Sequence, residues 1–190
     1  MAVFLIIGLG NPGPRYELTR HNAGFLIADT LTEKHRIKLD THQYNALYGK
    51  GEVDGLPVMI VKPMTYMNDS GKAVKPIVNS LDILPKQLIV VYDEIDLPLG
   101  KVKVRNKGGD AGHLGLRSII QKLGTDQFAR IRVGVGRPED SNQISDYVLS
   151  PFLEEELKLF EDVMEEAVKL IEIKLRELNE SSNETEGKLE

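Results

Sequence analysis

The sequence predicts an α/β fold, a single domain built on a mixed β-sheet, and three observations carry that reading. Short apolar runs of strand length alternate along the chain with segments of helical periodicity. The length of 190 residues suits one domain with a full core, and no internal repeat or linker interrupts it. The composition, 41% apolar and 28% charged, is that of an ordinary folded soluble chain.

Each element has its own justification. Val3 to Gly8 reads as a buried strand, and Phe25 to His35 as a helix with Phe25, Ala28 and Leu31 on one face. Tyr44 to Val53 alternates as a strand and pairs with Val58 to Val61 across a turn at Asp54-Gly55. Ser70 to Leu81 carries an inner stripe of Ala73, Val74, Ile77, Val78 and Leu81; its Pro76 must lie early in the helix or bend it. Leu88 to Tyr92 is the most hydrophobic strand and is expected at the centre of the sheet. Lys101 to Arg105 alternates charge with valine and is expected at an edge. His113 to Leu123 reads as a helix, Ala129 to Val135 as a strand, and Tyr147 to Leu149 as a short further strand. Pro151 suits the first turn of a long helix reaching about Leu178. The domain is thus expected over residues 1–178. Residues 179–190, an acidic tail without apolar periodicity, are expected to be disordered.

Several classes of protein are excluded at once. No apolar run approaches the length a membrane helix needs, and the short apolar start lacks the basic flank of a secretory signal. With no cysteine there are no disulfides, thiol nucleophiles or thiolate metal sites. A cytoplasmic protein is expected. The net charge of −5 hides an asymmetry: residues 98–132 hold eight Lys/Arg against two acids, whereas residues 153–190 hold thirteen acids against five bases. The basic segment is either a phosphate-binding face or a solvated sheet face.

Residues 8–13, Gly-Leu-Gly-Asn-Pro-Gly, follow the first strand and match the spacing of a dinucleotide fingerprint. Its context fails. Pro12 and Pro14 remove N–H donors where a pyrophosphate needs them, and no acid ends a second strand about 20 residues on. The loop instead presents Asn11 and then Thr19-Arg20-His21-Asn22, a pattern suited to a catalytic rim. The plainer alternative is a capping segment, with Asn22 as N-cap and His21 in solvent.

Other polar clusters are individually modest. Asp93, Glu94 and Asp96 close the most hydrophobic strand, where open α/β sheets build their sites; they can bind a divalent metal, orient a histidine, or merely end the strand. Tyr66 and Asn68 follow another strand in a segment that also reads as a turn and helix cap. Gly108 to Gly115 is a glycine-rich approach to a helix, fit for an anion, a carbonyl oxygen or close packing. No G-x-S-x-G elbow supplies a serine nucleophile.

Taken together, "GLGNPGPRYELTRHNAG", "KPMTYMNDSGKAV", "YDEIDLPLGKVKVR", "GGDAGHLGLRSI" and "RIRVGVGRP" resemble the bacterial peptidyl-tRNA hydrolases over residues 3–178. The resemblance implies a three-layer αβα sandwich around a twisted mixed sheet, and a monomeric, cofactor-free and metal-free cytoplasmic esterase. Its implied substrate is peptidyl-tRNA, cleaved at the ester on the 3′ ribose, and no membrane or obligate protein partner is expected. It also implies roles at matched positions: His21 as general base, Asp93 as its orienter, and Asn11 and Asn68 as substrate-holding amides. Asn11 would discriminate blocked from free amino groups. Tyr16 and Tyr66 would line the cleft near the tRNA end, and Lys103, Arg105 and Arg132 would meet phosphates.

One position departs from the pattern. The family usually reads Gly-His-Asn-Gly where this chain reads Gly112-His113-Leu114-Gly115, and a leucine cannot make the asparagine's hydrogen bonds. His113 is retained at the expected substrate-binding position beside Leu114. A non-catalytic RNA-binding relative on the same fold is the main alternative, and a metal-dependent phosphoesterase built on Asp93, Glu94 and Asp96 a more distant one.

Overall fold

The computed structural model describes residues 3–186. Seven strands form one sheet: β1 (Phe4–Gly8), β2 (Thr41–Gln43), β3 (Ala46–Val53), β4 (Leu56–Pro63), β5 (Leu88–Glu94), β6 (Val102–Arg105) and β7 (Ala129–Gly134), in the order β2-β3-β4-β1-β5-β7-β6. β4, β1, β5 and β7 run parallel, while β2, β3 and β6 are antiparallel to their neighbours, so the sheet is mixed as predicted. The expected edge position of the Lys/Val segment holds. β5 is fully buried and lies one place from the middle strand, β1.

Helices α1 (Ala23–Lys34), α2 (Ser70–Ser80), α3 (Leu114–Leu123), α4 (Ile144–Val148) and α5 (Glu154–Glu186) complete the chain. Alternation along the strands divides the core. Phe4, Ile6, Ile89, Val91 and Ile131 face α1 and α5, whereas Leu5, Ile7, Val90 and Tyr92 face α2 and α3. This gives the three-layer sandwich, each fully buried aliphatic side chain contributing about 1.5–3 kcal/mol. After β1 the chain builds one side of the sheet through β4, then crosses to the other through β5. The ends of β1 and β5 therefore form the crevice where α/β sheets bind ligands.

Several expectations are corrected. Residues 147–149 form no strand: Tyr147 and Val148 close the single turn of α4, and the Tyr147 hydroxyl donates to the Val135 carbonyl at 2.6 Å. Pro151 does not start the long helix, which begins at Glu154, because residues 150–152 are taken up by pairing with residues 18–20. Pro76 lies past the first turn of α2. The short β2 has no counterpart in the predicted elements. α5 continues through residues 179–186, where a disordered tail was expected; residues 187–190 lie outside the described residues.

Candidate active site

The glycines at the end of β1 and just after it serve close packing. A Cβ on Gly8 would lie 2.3 Å from the Gly24 carbonyl oxygen, and one on Gly10 would lie 2.5 Å from the Phe25 ring. β1 and its exit loop thus press against the start of α1, with backbone where a bound pyrophosphate would need space. The same packing brings Asn11 beside Asn22. The Asn11 N–H donates to Asn22 Oδ1 at 2.9 Å, and Asn22 Nδ2 donates to the Asn11 carbonyl at 3.0 Å. Asn22 occupies the N-cap position of α1 but makes no side-chain cap, its amide being spent on Asn11. Asn11 Oδ1 accepts the Met67 N–H at 2.7 Å, which fixes the amide so that Nδ2 keeps both its donors free of protein partners among the described residues.

His21 lies in a 3-10 turn, Arg20–Asn22, immediately before α1. Its Nδ1 is 2.8 Å from Asp93 Oδ2 at the end of β5, and His113 Nε2 is 2.8 Å from the other oxygen, Asp93 Oδ1. Asp93 is only 3% exposed and the His21 side chain 12%, so the solvent-exposed reading of His21 is excluded. The protons can be assigned. His113 is the N-cap of α3, where its Nδ1 accepts the Leu116 N–H at 3.2 Å, so its own proton is on Nε2 and is donated to Asp93. An ionised carboxylate only accepts, so His21 carries its proton on Nδ1 and keeps a lone pair on Nε2.

The electrostatics agree with that arrangement. Burial pushes the Asp93 carboxyl up, but the two imidazoles outweigh it and hold the group far below the usual carboxylate range. Burial pushes His21 down, and the charge and hydrogen bond of Asp93 more than reverse this, leaving its pKa above the ordinary value. The ligand atoms of His21, Asp93 and His113 fall within 4.8 Å of one another, yet both nitrogens facing the carboxylate already donate to it. Asp93, Glu94 and Asp96 do not converge as a metal cluster would. Glu94 receives both Nε and Nη2 of Arg132 at 3.1 Å, and Asp96 pairs with Arg137.

Around this centre the rim is partly apolar. Tyr16 and Tyr66 meet edge to face, with ring centres 6.4 Å apart. Asn68 is exposed in the 3-10 turn Met67–Asp69, and Leu114 is half exposed as the first residue of α3. Lys103 pairs with Arg132 and Arg105 with Arg130 across β6 and β7, so four bases share one sheet face. Their states differ. Arg130 is buried against the Gly109 and Asp126 carbonyls, and Arg132 is held by Glu94. Lys103 and Arg105 are exposed, with no ion pair or side-chain hydrogen bond among the described residues.

A family model for peptidyl-tRNA hydrolase matches residues 5–190. The chain belongs to the peptidyl-tRNA hydrolase family. It is 46% identical over 173 residues to the peptidyl-tRNA hydrolase of Bacillus subtilis, covering 91% of this chain and 92% of the relative. To that of Geobacillus thermodenitrificans it is 49% identical over 152 residues, covering 80% and 82%. The crystal structure of the peptidyl-tRNA hydrolase from Acinetobacter baumannii superposes with a TM-score of 0.88 at 34% identity, covering 94% of this chain and 91% of that one.

Of the peptidyl-tRNA hydrolase positions expected from sequence, the fold gathers His21, Asp93 and His113 by direct contact, with Asn11 tied to Met67 beside Asn68. Arg132, expected to meet phosphates, is engaged by Glu94. Sequence reasoning missed the pairing roles of Asn22, Glu94 and Arg20. Only the adjacency of Arg20 and Asn22 to His21 signalled the first and last of these.

Proposed function

We propose that this chain hydrolyses the ester bond joining a peptide to the 3′ ribose of tRNA, with water as the nucleophile. The observation that carries this reading is the 2.8 Å contact between His21 Nδ1 and the buried carboxylate of Asp93, which leaves the Nε2 lone pair as a base. In the proposed reaction Nε2 takes a proton as water oxygen attacks the ester carbonyl carbon. Asp93 stabilises the imidazolium so formed, and His113 stabilises the charge on Asp93. The tetrahedral oxyanion then collapses, the bond to the ribose 3′ oxygen breaks, and the imidazolium returns its proton to that oxygen. The products are free tRNA and a peptide carboxylate.

Asn11 Nδ2 offers two donors to an amide carbonyl of the substrate, a group that a blocked amino terminus has and a free one lacks. Asn68 supplies a second amide, and Tyr16 and Tyr66 line the path of the tRNA end. Lys103 and Arg105 are the phosphate contacts in this reading. Arg132 lies opposite Lys103 on the same sheet face and is held by Glu94. The proposal takes residues 1–178 as one cytoplasmic domain, working as a monomer without metal or cofactor. Among the described residues, no helix is long and apolar enough to cross a membrane.

The test is release of tRNA from N-acetylaminoacyl-tRNA beside unblocked aminoacyl-tRNA, with and without EDTA. Cleavage of the blocked substrate alone, resistant to EDTA and lost about 10²–10⁴-fold in His21→Ala, is the expected result. Binding of tRNA without cleavage would instead make the chain a non-catalytic RNA-binding relative.

A further inference from the structure

We propose that Arg20 is a positioning residue for His21, acting through an anchor formed by Glu156 and the chain reversal between α4 and α5. Three consecutive side chains of the 3-10 turn go to three separate supports. His21 reaches Asp93, and Asn22 pairs with the backbone of Asn11. Arg20 turns away from the crevice and is 5% exposed. Its Nη2 donates to Glu156 Oε2 at 2.7 Å, and Nη1 donates to the carbonyls of Tyr147 at 3.2 Å and Ser150 at 3.3 Å. The Tyr147 ring covers the guanidinium at 4.3 Å. That ring is itself held by its hydroxyl on Val135.

The backbone repeats the attachment. The Arg20 N–H donates to the Ser150 carbonyl at 3.2 Å, and the Phe152 N–H donates to the Leu18 carbonyl at 2.9 Å. Among the described residues, residues 18–20 thus pair with residues 150–152 through an isolated bridge and not with a strand of the main sheet. A planar fork suits this anchor, because carbonyls ending a helix and a carboxylate must be met in fixed directions at once. Glu156 Oε2 also accepts the Leu153 N–H at 2.7 Å, so one oxygen links the start of α5 to the turn bearing the base. Residues this far apart in sequence set the distance over which His21 meets Asp93.

This rests on His21 being the general base, and the experiment keeps the two ideas apart. Arg20→Lys, Glu156→Ala and Glu156→Gln are compared in the full chain by kcat and KM on N-acetylaminoacyl-tRNA, by melting, and by NMR titration of the His21 Cε1 proton. The groups facing His21 are Asp93 from β5 and His113 from the α3 cap. Arg20→Lys and Glu156→Ala are expected to lower kcat about tenfold or more with KM unchanged, since small misplacements of a base cost that much. The His21 midpoint should fall toward its ordinary value as contact with Asp93 loosens. Glu156→Gln removes the same charge but keeps the acceptor, and should restore both readouts, separating geometry from electrostatics. Wild-type kcat and His21 midpoint in folded Arg20→Lys and Glu156→Ala would overturn the proposal, leaving Arg20 a structural clamp. Should Arg20→Lys not fold, Glu156→Ala decides, because it changes a half-buried side chain at a helix start. If the wild-type chain cleaves no substrate, the hydrolase reading fails, while the titration still decides the role of Arg20.

Discussion

Replacing Asp93 by Asn tests the centre most directly, because an amide cannot do what the carboxylate does. Asp93 accepts from two histidines at 2.8 Å, one on each oxygen. Asparagine has one acceptor side and one donor side, so one histidine must present a lone pair to it. His113 cannot easily change, since its Nδ1 caps α3 by accepting from Leu116, and losing such a cap costs about 1 kcal/mol. The amide oxygen therefore settles on His113 and its NH₂ on His21, which forces the His21 proton onto Nε2 and removes the base. Charge adds to this. Unit charges 2.8 Å apart attract by about 6 kcal/mol at an effective dielectric of about 20, of which the amide dipole retains a part. With about 1.4 kcal/mol per factor of ten, kcat is expected to fall about 10³–10⁴-fold. Single-turnover cleavage of N-acetylaminoacyl-tRNA measures it. Adding His113→Leu frees the asparagine oxygen to face His21 and should recover about tenfold. A single Asp93→Asn variant within about tenfold of wild type would refute the tautomer argument, as would a double variant slower than the single.

Lys103→Ala and Arg105→Ala should each raise KM and reduce the slope of log KM against log salt by about 0.9, whereas Arg132→Ala should mainly destabilise, by about 3 kcal/mol, by leaving Glu94 buried and unpaired; equal salt slopes and equal melting in all three would contradict the assignment. Gly8→Ala places a methyl group 2.3 Å from the Gly24 oxygen and should cost about 2–3 kcal/mol, seen as a melting point roughly 5–10 °C lower; an unchanged melting point would deny the close packing of β1 on α1. Burial raises the Glu172 carboxyl, but Lys34 and His35 outweigh it and hold it below its ordinary value, so its contribution is present above about pH 4.5 and lost as pH falls through the folded-state value. Urea unfolding of Glu172→Gln should accordingly show a loss of about 1–2 kcal/mol at pH 7 that narrows as pH falls below about 4.5, and a pH-independent loss would refute it.

The local signals in the chain are strong where burial is total. β1, and β5 from Leu88 to Val91, are apolar because both their faces are covered, and the Lys/Val alternation of β6 reflects an edge with one wet face. Such patterns are local consequences of where each residue ends up, and so they can be read without the fold. Tyr147 to Leu149 could not be read this way, because three residues cannot distinguish a strand from a helical turn. Pro151 and the start of α5 were set by pairing with residues 18–20, more than 125 positions away.

The site divides along the same line. The residue types, a histidine after the first loop, an acid ending a buried strand and two asparagines, are in the sequence, and so is the resemblance that links them. The tertiary structure alone decides that His113 shares Asp93 with His21, that Arg132 is taken by Glu94 while Lys103 and Arg105 have no ion pair among the described residues, and that Arg20 is anchored on Glu156. Each is a hydrogen bond or ion pair between groups distant in the chain. Side-chain chemistry specifies which partners are possible, and only the packing of the sheet and helices brings one particular partner into hydrogen-bond range.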